Sequence, residues 1–276
     1  MSLKKLLAVL LTLTLLFAVA GCSTTTPPAD DVAATRMDKI KAAGVMVVGT
    51  SADYPPFEFH AEIDGVDTIV GYDMMIAQYI ADSLGVKLQI EDMAFDGLLI
   101  SLQEDMFDIV LAGISENPTR AQAADFSVET TLLHWEVVMR KADDAKFNTV
   151  EDFADARIGV QAATVYEKKA IEMAGEKNVV VLATFPDLII DLQNGTIDAI
   201  VANEMTTRAY ASGNEDLMSK DVGIIHDEPG QSAAVMKGQP EWLAYVNEQI
   251  TELRNTGKLR EYLLASEALA DASGVE

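Results

Sequence analysis

Short apolar runs alternate with amphipathic stretches along most of the chain. Segments 45–49 and 109–112 are continuously apolar, and 86–90, VKLQI, reads as a further strand between them. That pattern predicts buried strands of a mostly parallel sheet. Between them, Met75, Ile76, Tyr79, Ile80 and Leu84 recur at helical spacing before Gly85, which predicts an amphipathic helix with Asp73 as its N-cap. Phe95, Leu98, Leu99 and Leu102 mark a further helix, and 37–43 a short one closed by Gly44. Segment 50–59, TSADYPPFEF, holds two prolines and reads as a loop that fixes its aromatic residues. The following EIDGVD reads as a turn.

After Ser127 the pattern changes. A longer strand is expected at 132–140, then a polar stretch, then a second alternation: helix 150–154, strand 157–160, helix 165–174, strand 179–182, helix 186–193, strand 197–201, helix 204–211 and strand 222–225. Another long strand, 231–236, leads into helices over 241–264, and the Ala- and Ser-rich last dozen residues are expected to fray. Strand–helix alternation of this kind predicts an α/β body. Two lobes are expected, lobe 1 from 37–137 and 230–265, lobe 2 from 138–229, with a tail at 266–276. Two strands near 134–140 and 231–236 cross between them, and a cleft between lobes is a natural place for a ligand.

Composition adds an address. Residues 1–21 carry Lys4 and Lys5, an apolar run from Leu6 to Ala20, and Gly21, the layout of a secretory signal peptide and too short to read first as a membrane span. Cys22 is the only cysteine, so no intrachain disulfide forms. Residues 22–36 are Thr-rich with a proline pair and read as a flexible tether. The net charge of −24, from 44 acidic and 20 basic residues, argues against nucleic acid and anionic lipid as partners. His60, His134 and His226 lie far apart and form no metal-ligand spacing. No cofactor motif is present.

The chemistry concentrates in 108–127, DIVLAGISENPTRAQAADFS. A strand runs through Gly113 and Ser115 into Pro118, Arg120 and a helical turn. Backbone N–H groups, a hydroxyl and a planar guanidinium converge there, which suits a carboxylate. Taken alone, the same stretch also fits an ordinary βα connection whose arginine makes a surface ion pair.

Several stretches, in order, widen that choice: GTSADYPPFEF, VGYDMMIAQYIADSLGV, FDGLLISLQEDMFDIVLAGISENPTRAQAADFS, RIGVQAATVYE, LQNGTIDAIVAN and VMKGQPEWLAYVNEQITELRNTGKL. Over about 38–264 the chain resembles the family 3 extracellular solute-binding proteins of polar amino-acid ABC transporters. VAGC at 19–22 resembles the lipobox of bacterial lipoproteins, which implies lipidation at Cys22. The resemblance implies a two-lobed type II periplasmic-binding-protein fold with two hinge-crossing strands, a monomer that delivers an amino acid or similar small carboxylate to an ABC permease. It implies that Arg120 clamps the ligand carboxylate, that Ser115 and the Gly113 carbonyl contact ligand, and that Thr164 meets the carboxylate from the second lobe. It implies that Tyr54 and Phe95 pack on the ligand and that Gln161 faces the cleft.

Three departures bear on specificity. Asn203 stands where the family carries an acid for the ligand ammonium, with Glu204 beside it. Ser51 stands where binders of basic amino acids carry an acid, which argues against lysine or arginine unless Asp53 substitutes. Asn117 replaces the usual threonine. Two other functions fit the same fold: a cyclohexadienyl dehydratase-like enzyme, with Glu204 or Asp53 as acid or base, and a ligand sensor.

Overall fold

The computed structural model describes residues 34–132 and 134–274. The expected signal peptide, Cys22 and most of the tether lie outside the described residues. The body from Thr35 onward is one compact unit built on three sheets.

The first sheet runs in the order β5 (Lys87–Asp92), β1 (Val45–Thr50), β6 (Ile109–Val110), β13 (Ala234–Met236), β7 (Ala124–Phe126). β1 is parallel to β5 and β6, whereas β13 is antiparallel to β6 and β7. The second sheet runs β10 (Val179–Leu182), β9 (Ile158–Gln161), β11 (Ala199–Asn203), β8 (Trp135–Arg140), β12 (Leu217–Lys220). There β9 is parallel to β10 and β11, and β8 is antiparallel to β11 and β12. Each sheet is therefore mixed, because the strands adjoining the crossings run against the rest. The fold is the two-lobed α/β architecture.

A third sheet of β2 (Asp53–Tyr54), β3 (Glu58–Ile63) and β4 (Val66–Val70) is antiparallel. It replaces part of the expected loop, and its hairpin turn at Asp64 and Gly65 lies within the expected EIDGVD turn. The prolines, Pro55 and Pro56, sit between β2 and β3 rather than within a strand, so the ladder loses no donor.

The helices are α1 (Arg36–Ala43), α2 (Tyr72–Leu84), α3 (Leu98–Gln103), α4 (Arg120–Ala123), α5 (Tyr166–Ala174), α6 (Phe185–Gln193), α7 (Glu204–Gly213), α8 (Pro240–Asn255) and α9 (Lys258–Ser273). Local chemistry sets several of their ends. Thr35 and Asp38 form a capping box at α1, and Gly44 closes it in the left-handed conformation. Thr184 caps α6, whose Pro186 occupies its first turn.

Three expectations are corrected. Asp73 does not cap α2: the helix starts at Tyr72 behind Gly71, and the Asp73 carboxylate turns inward to accept the Gly113 N–H at 2.9 Å. The strand expected at 222–225 does not form, and β12 lies earlier. Gly223 takes φ +79 and donates its N–H to the Asp221 carboxylate, which turns the chain out of the sheet and leaves Ile225 exposed. Nor does the tail fray at 265. α9 continues to Ser273 because Ala270 and Leu269 pack on Phe59 and Ala61 of β3.

Two antiparallel segments join the lobes. Thr130 N–H donates to the Gln231 carbonyl at 2.7 Å, and Gln231 N–H to the Thr131 carbonyl at 3.0 Å. Gly230 is required beside them: a Cβ there would lie 2.2 Å from the Thr131 carbonyl oxygen.

Candidate ligand site

Three loops leave the carboxyl ends of β1, β6 and β9 and meet between the two large sheets. Ligands in open α/β sheets bind at such strand ends. The loops line one pocket. Of the residues expected at the site, Ser51, Tyr54, Phe95, Gly113, Ser115, Arg120, Gln161 and Thr164 line it, whereas Asn117 and Asn203 do not.

Arg120 opens α4 and is only 8% exposed. Asn117 makes that position possible. Its Oδ1 accepts the backbone N–H of Thr119 at 3.0 Å and of Arg120 at 2.8 Å, so its side chain shapes the turn. The guanidinium donates Nη1 to the Ser115 carbonyl at 2.6 Å and Nη2 to the Ala163 carbonyl at 2.9 Å. Ala163 takes φ +60, the left-handed region that a non-glycine residue enters at a cost. The Phe95 ring lies under the guanidinium, 5.2 Å from centroid to Cζ. These partners are neutral. Burial accordingly pushes the Arg120 pKa down to about 10.

Asp53 and Tyr54 reach from β2 into lobe 2. Asp53 Oδ2 accepts from Gln161 Nε2 at 2.9 Å and from the Phe185 N–H, at the start of α6, at 3.0 Å. Its carbonyl accepts from Tyr210 Oη at 2.9 Å. Tyr54 Oη donates to Tyr166 Oη at 2.9 Å and accepts the Asn203 N–H at 3.1 Å. The Tyr54 ring packs edge-on against Phe185 and stacks with Phe57. Phe57 is core, with 0% exposure. Thr164 uses its hydroxyl on the Gln161 carbonyl at 2.7 Å.

Asn203 is fully buried and is the N-cap of α7: its Oδ1 accepts the Met205 N–H at 2.8 Å. Glu204 pairs with Arg208 one helical turn on, at 3.0 Å. Neither faces the pocket.

Four wall residues escaped the sequence reading, Glu58, Ala112, Val165 and Tyr166, and two of them, Glu58 and Tyr166, carry polar chemistry. Glu58 lines the pocket with no exposure, and neither of its carboxylate oxygens accepts a hydrogen bond from a described donor. Burial first, then the charge of Asp73, holds its pKa well above the carboxylate range. Asp73, also raised by burial, lies at about 6. Glu58 therefore holds its proton more tightly than Asp73 does, as expected of two buried carboxyls sharing one site. The signal for Glu58 was an acid in an otherwise apolar PPFEF run. Tyr166, the other, opens α5 and stacks edge-on against Trp135 at 4.7 Å; nothing in its helical spacing marks it as a wall residue.

This geometry can be set beside known proteins. Residues 46–264 match the model of the bacterial extracellular solute-binding proteins, family 3. The chain belongs to this family. It is 26% identical over 260 residues to the arginine-binding extracellular protein ArtP of Bacillus subtilis, covering 94% of this chain and 96% of that one. It is 27% identical over 224 residues to the L-cystine-binding protein TcyJ of Escherichia coli, covering 81% and 83%. Among solved structures, an amino acid ABC transporter substrate-binding protein from Streptococcus pneumoniae bound to L-arginine superposes with a TM-score of 0.82 at 33% identity, covering 85% of this chain and 98% of that one.

A cyclohexadienyl dehydratase from Pseudomonas aeruginosa is similar over 117 residues only, 42% of each chain, at 34% identity. The family member described here is an amino-acid-binding component of an ABC transporter, extracytoplasmic, and a binding protein rather than an enzyme.

Proposed function

We propose that the chain captures an amino acid with a cationic side chain in the interlobe pocket and delivers it, from a lipid anchor at Cys22, to a membrane permease. One observation carries the ligand class: Arg120 and Glu58 line the same pocket, both buried, with Arg120 on two carbonyls and Glu58 without a hydrogen-bond partner among the described residues. A buried charge demands a partner. Arg120 takes the ligand carboxylate, and Glu58, once it gives up its proton, takes the cation. Glu58 answers the objection raised by Ser51, since it supplies the acid that position 51 lacks. Asp53 does not, because its carboxylate is engaged with lobe 2. The names of two of the relatives point the same way, one arginine-binding and one bound to L-arginine.

A thermal-shift screen against the common amino acids tests this, because a ligand of the folded state alone raises the midpoint. Arginine or lysine is expected to give the largest shift. A larger shift from an acidic amino acid would sink the cationic reading. Replacing Cys22 by Ser is expected to release the protein from the membrane fraction; unchanged fractionation would overturn the anchor.

A further inference from the structure

The C-terminal helix α9 belongs to lobe 1 by its middle and touches lobe 2 by its end. Ser266 is fully buried, and its Oγ lies 3.9 Å from Met75 Sδ on α2. The turns that follow lie beyond residue 264, where the family match ends. There Ala270 shares one apolar cluster with Phe59 and Ala61 of β3 and with Ala209 of α7. Phe59 and Ala61 are lobe 1 residues, whereas Ala209 is a lobe 2 residue. Ala270 is 3% exposed and Ala209 8%, and two alanines leave no long side chain to hold the helices apart. Next to this contact, Ser212 Oγ of α7 donates to Asp271 Oδ1 at 3.0 Å. One turn earlier, Glu267 lies within reach of the charge of Arg208, which pairs with Glu136 and Glu204 of lobe 2. Glu267, Ala270 and Asp271 fall at i, i+3 and i+4, so a single face of α9 makes all three contacts.

Opening the cleft moves α7 away from β3. The end of α9 packs on both, so it then has to leave one of them. Leaving α7 exposes Ala209 and Ala270 to water, and leaving β3 exposes Phe59. Either way apolar burial is lost.

We propose that the last turns of α9 form an interlobe strap, rooted on lobe 1 and docked on α7, that holds the empty cleft toward its closed form. The strap acts whatever the solute, so it stands apart from the ligand class argued above.

The experiment measures the distance between the lobes in the unliganded protein by pulsed electron paramagnetic resonance. Spin labels sit at Ile100→Cys on α3 and Ile190→Cys on α6, both exposed, in a Cys22→Ser background that removes the only native thiol. Two variants are compared with this parent. Ala209→Glu presses an acid against Glu267 and Asp271, and glutamate is a good helix former, so α7 keeps its helix. It is expected to shift the distribution to longer distances and to raise the ratio of open to closed by about tenfold or more, because only opening returns that carboxylate to water. Ending the chain at Leu264 is expected to shift the distribution in the same direction.

An unchanged distribution in a variant that melts as a folded protein overturns the strap. Where one variant fails to fold, the other decides. Unfolding of both would place 265–273 in the core of the fold and would also overturn it.

Discussion

The two charged regions of the pocket are solved in opposite ways. At Arg120 a buried cation is given neutral acceptors, two carbonyls and an aromatic face, so it stays charged despite desolvation. At Glu58 and Asp73 two buried acids are given almost nothing: Asp73 receives one N–H, and Glu58 receives no described donor. One region is preorganised for an anion and costs little while it waits. The other avoids the cost of its own charge by holding a proton. A cation entering there has to displace that proton, whereas a carboxylate entering beside Arg120 displaces none. The two ends of a ligand therefore differ in how their binding depends on pH.

The largest effect is expected from Arg120→Ala. Removing one partner of a buried pair costs about 3–5 kcal/mol, so ligand affinity should fall by at least about a hundredfold. Calorimetry checks this, and near-normal binding would dissolve the contrast.

Next is Glu58→Gln, expected to cut affinity for a cationic ligand by at least about tenfold, through a lost charge-assisted bond worth about 1.5–3 kcal/mol. The same change should leave the unliganded fold as stable as before or more so, because the buried acid has no donor to lose. A variant that melts markedly lower would show that Glu58 serves the fold instead.

The third test is pH. The folded-state pKa of Asp73, about 6, lies above the unfolded value of about 3.9. Its contribution is therefore fully favourable below about pH 4 and is lost as pH rises through about 6. Asp73→Asn, which keeps an acceptor for the Gly113 N–H, should flatten stability over that window and raise it at pH 7 by on the order of 1–2 kcal/mol. Chemical denaturation at pH 4.5 and 7.5 measures the difference, and identical slopes in both proteins would refute the buried-pair account. The smallest effect belongs to Phe95→Leu, where loss of the ring under Arg120 should cost about 0.5–1 kcal/mol of binding.

The difference between the two regions also explains what could be read from the chain. Arg120 stood out because the strand, the turn at Gly113, Ser115 and the guanidinium are sequence neighbours within 108–127, whereas its contacts with Ala163 and Phe95 come from elsewhere in the chain. The α/β alternation was legible for the same reason, since each period is local. Glu58 and Asp73 lie fifteen residues apart on a strand and a helix that converge only in three dimensions. The expected loop at 50–59 hid β3, whose pleat turns Glu58 inward.

Asn203 shows the limit from the other side. Family resemblance put it at the ligand, yet it lies off the pocket wall and its Oδ1 caps a helix, so the acceptor an ammonium would need is already engaged. The tail was misread because Ala-rich segments carry no strong periodicity, and what orders 265–273 is contact with β3.

β2 is two residues long, and it controls timing. Gln161, Phe185 and Tyr210 bond to Asp53, and Asn203 and Tyr166 bond to Tyr54. All of these bonds join protein to protein across the mouth of the pocket. Each contributes about 1 kcal/mol net, whether or not a solute lies beneath. Parting the lobes means breaking them together, so the residence time of a captured solute is set partly by bonds between protein groups and not only by its own contacts. A substitution at Asp53 would then speed entry and exit alike, and would show in rates more than in equilibrium affinity.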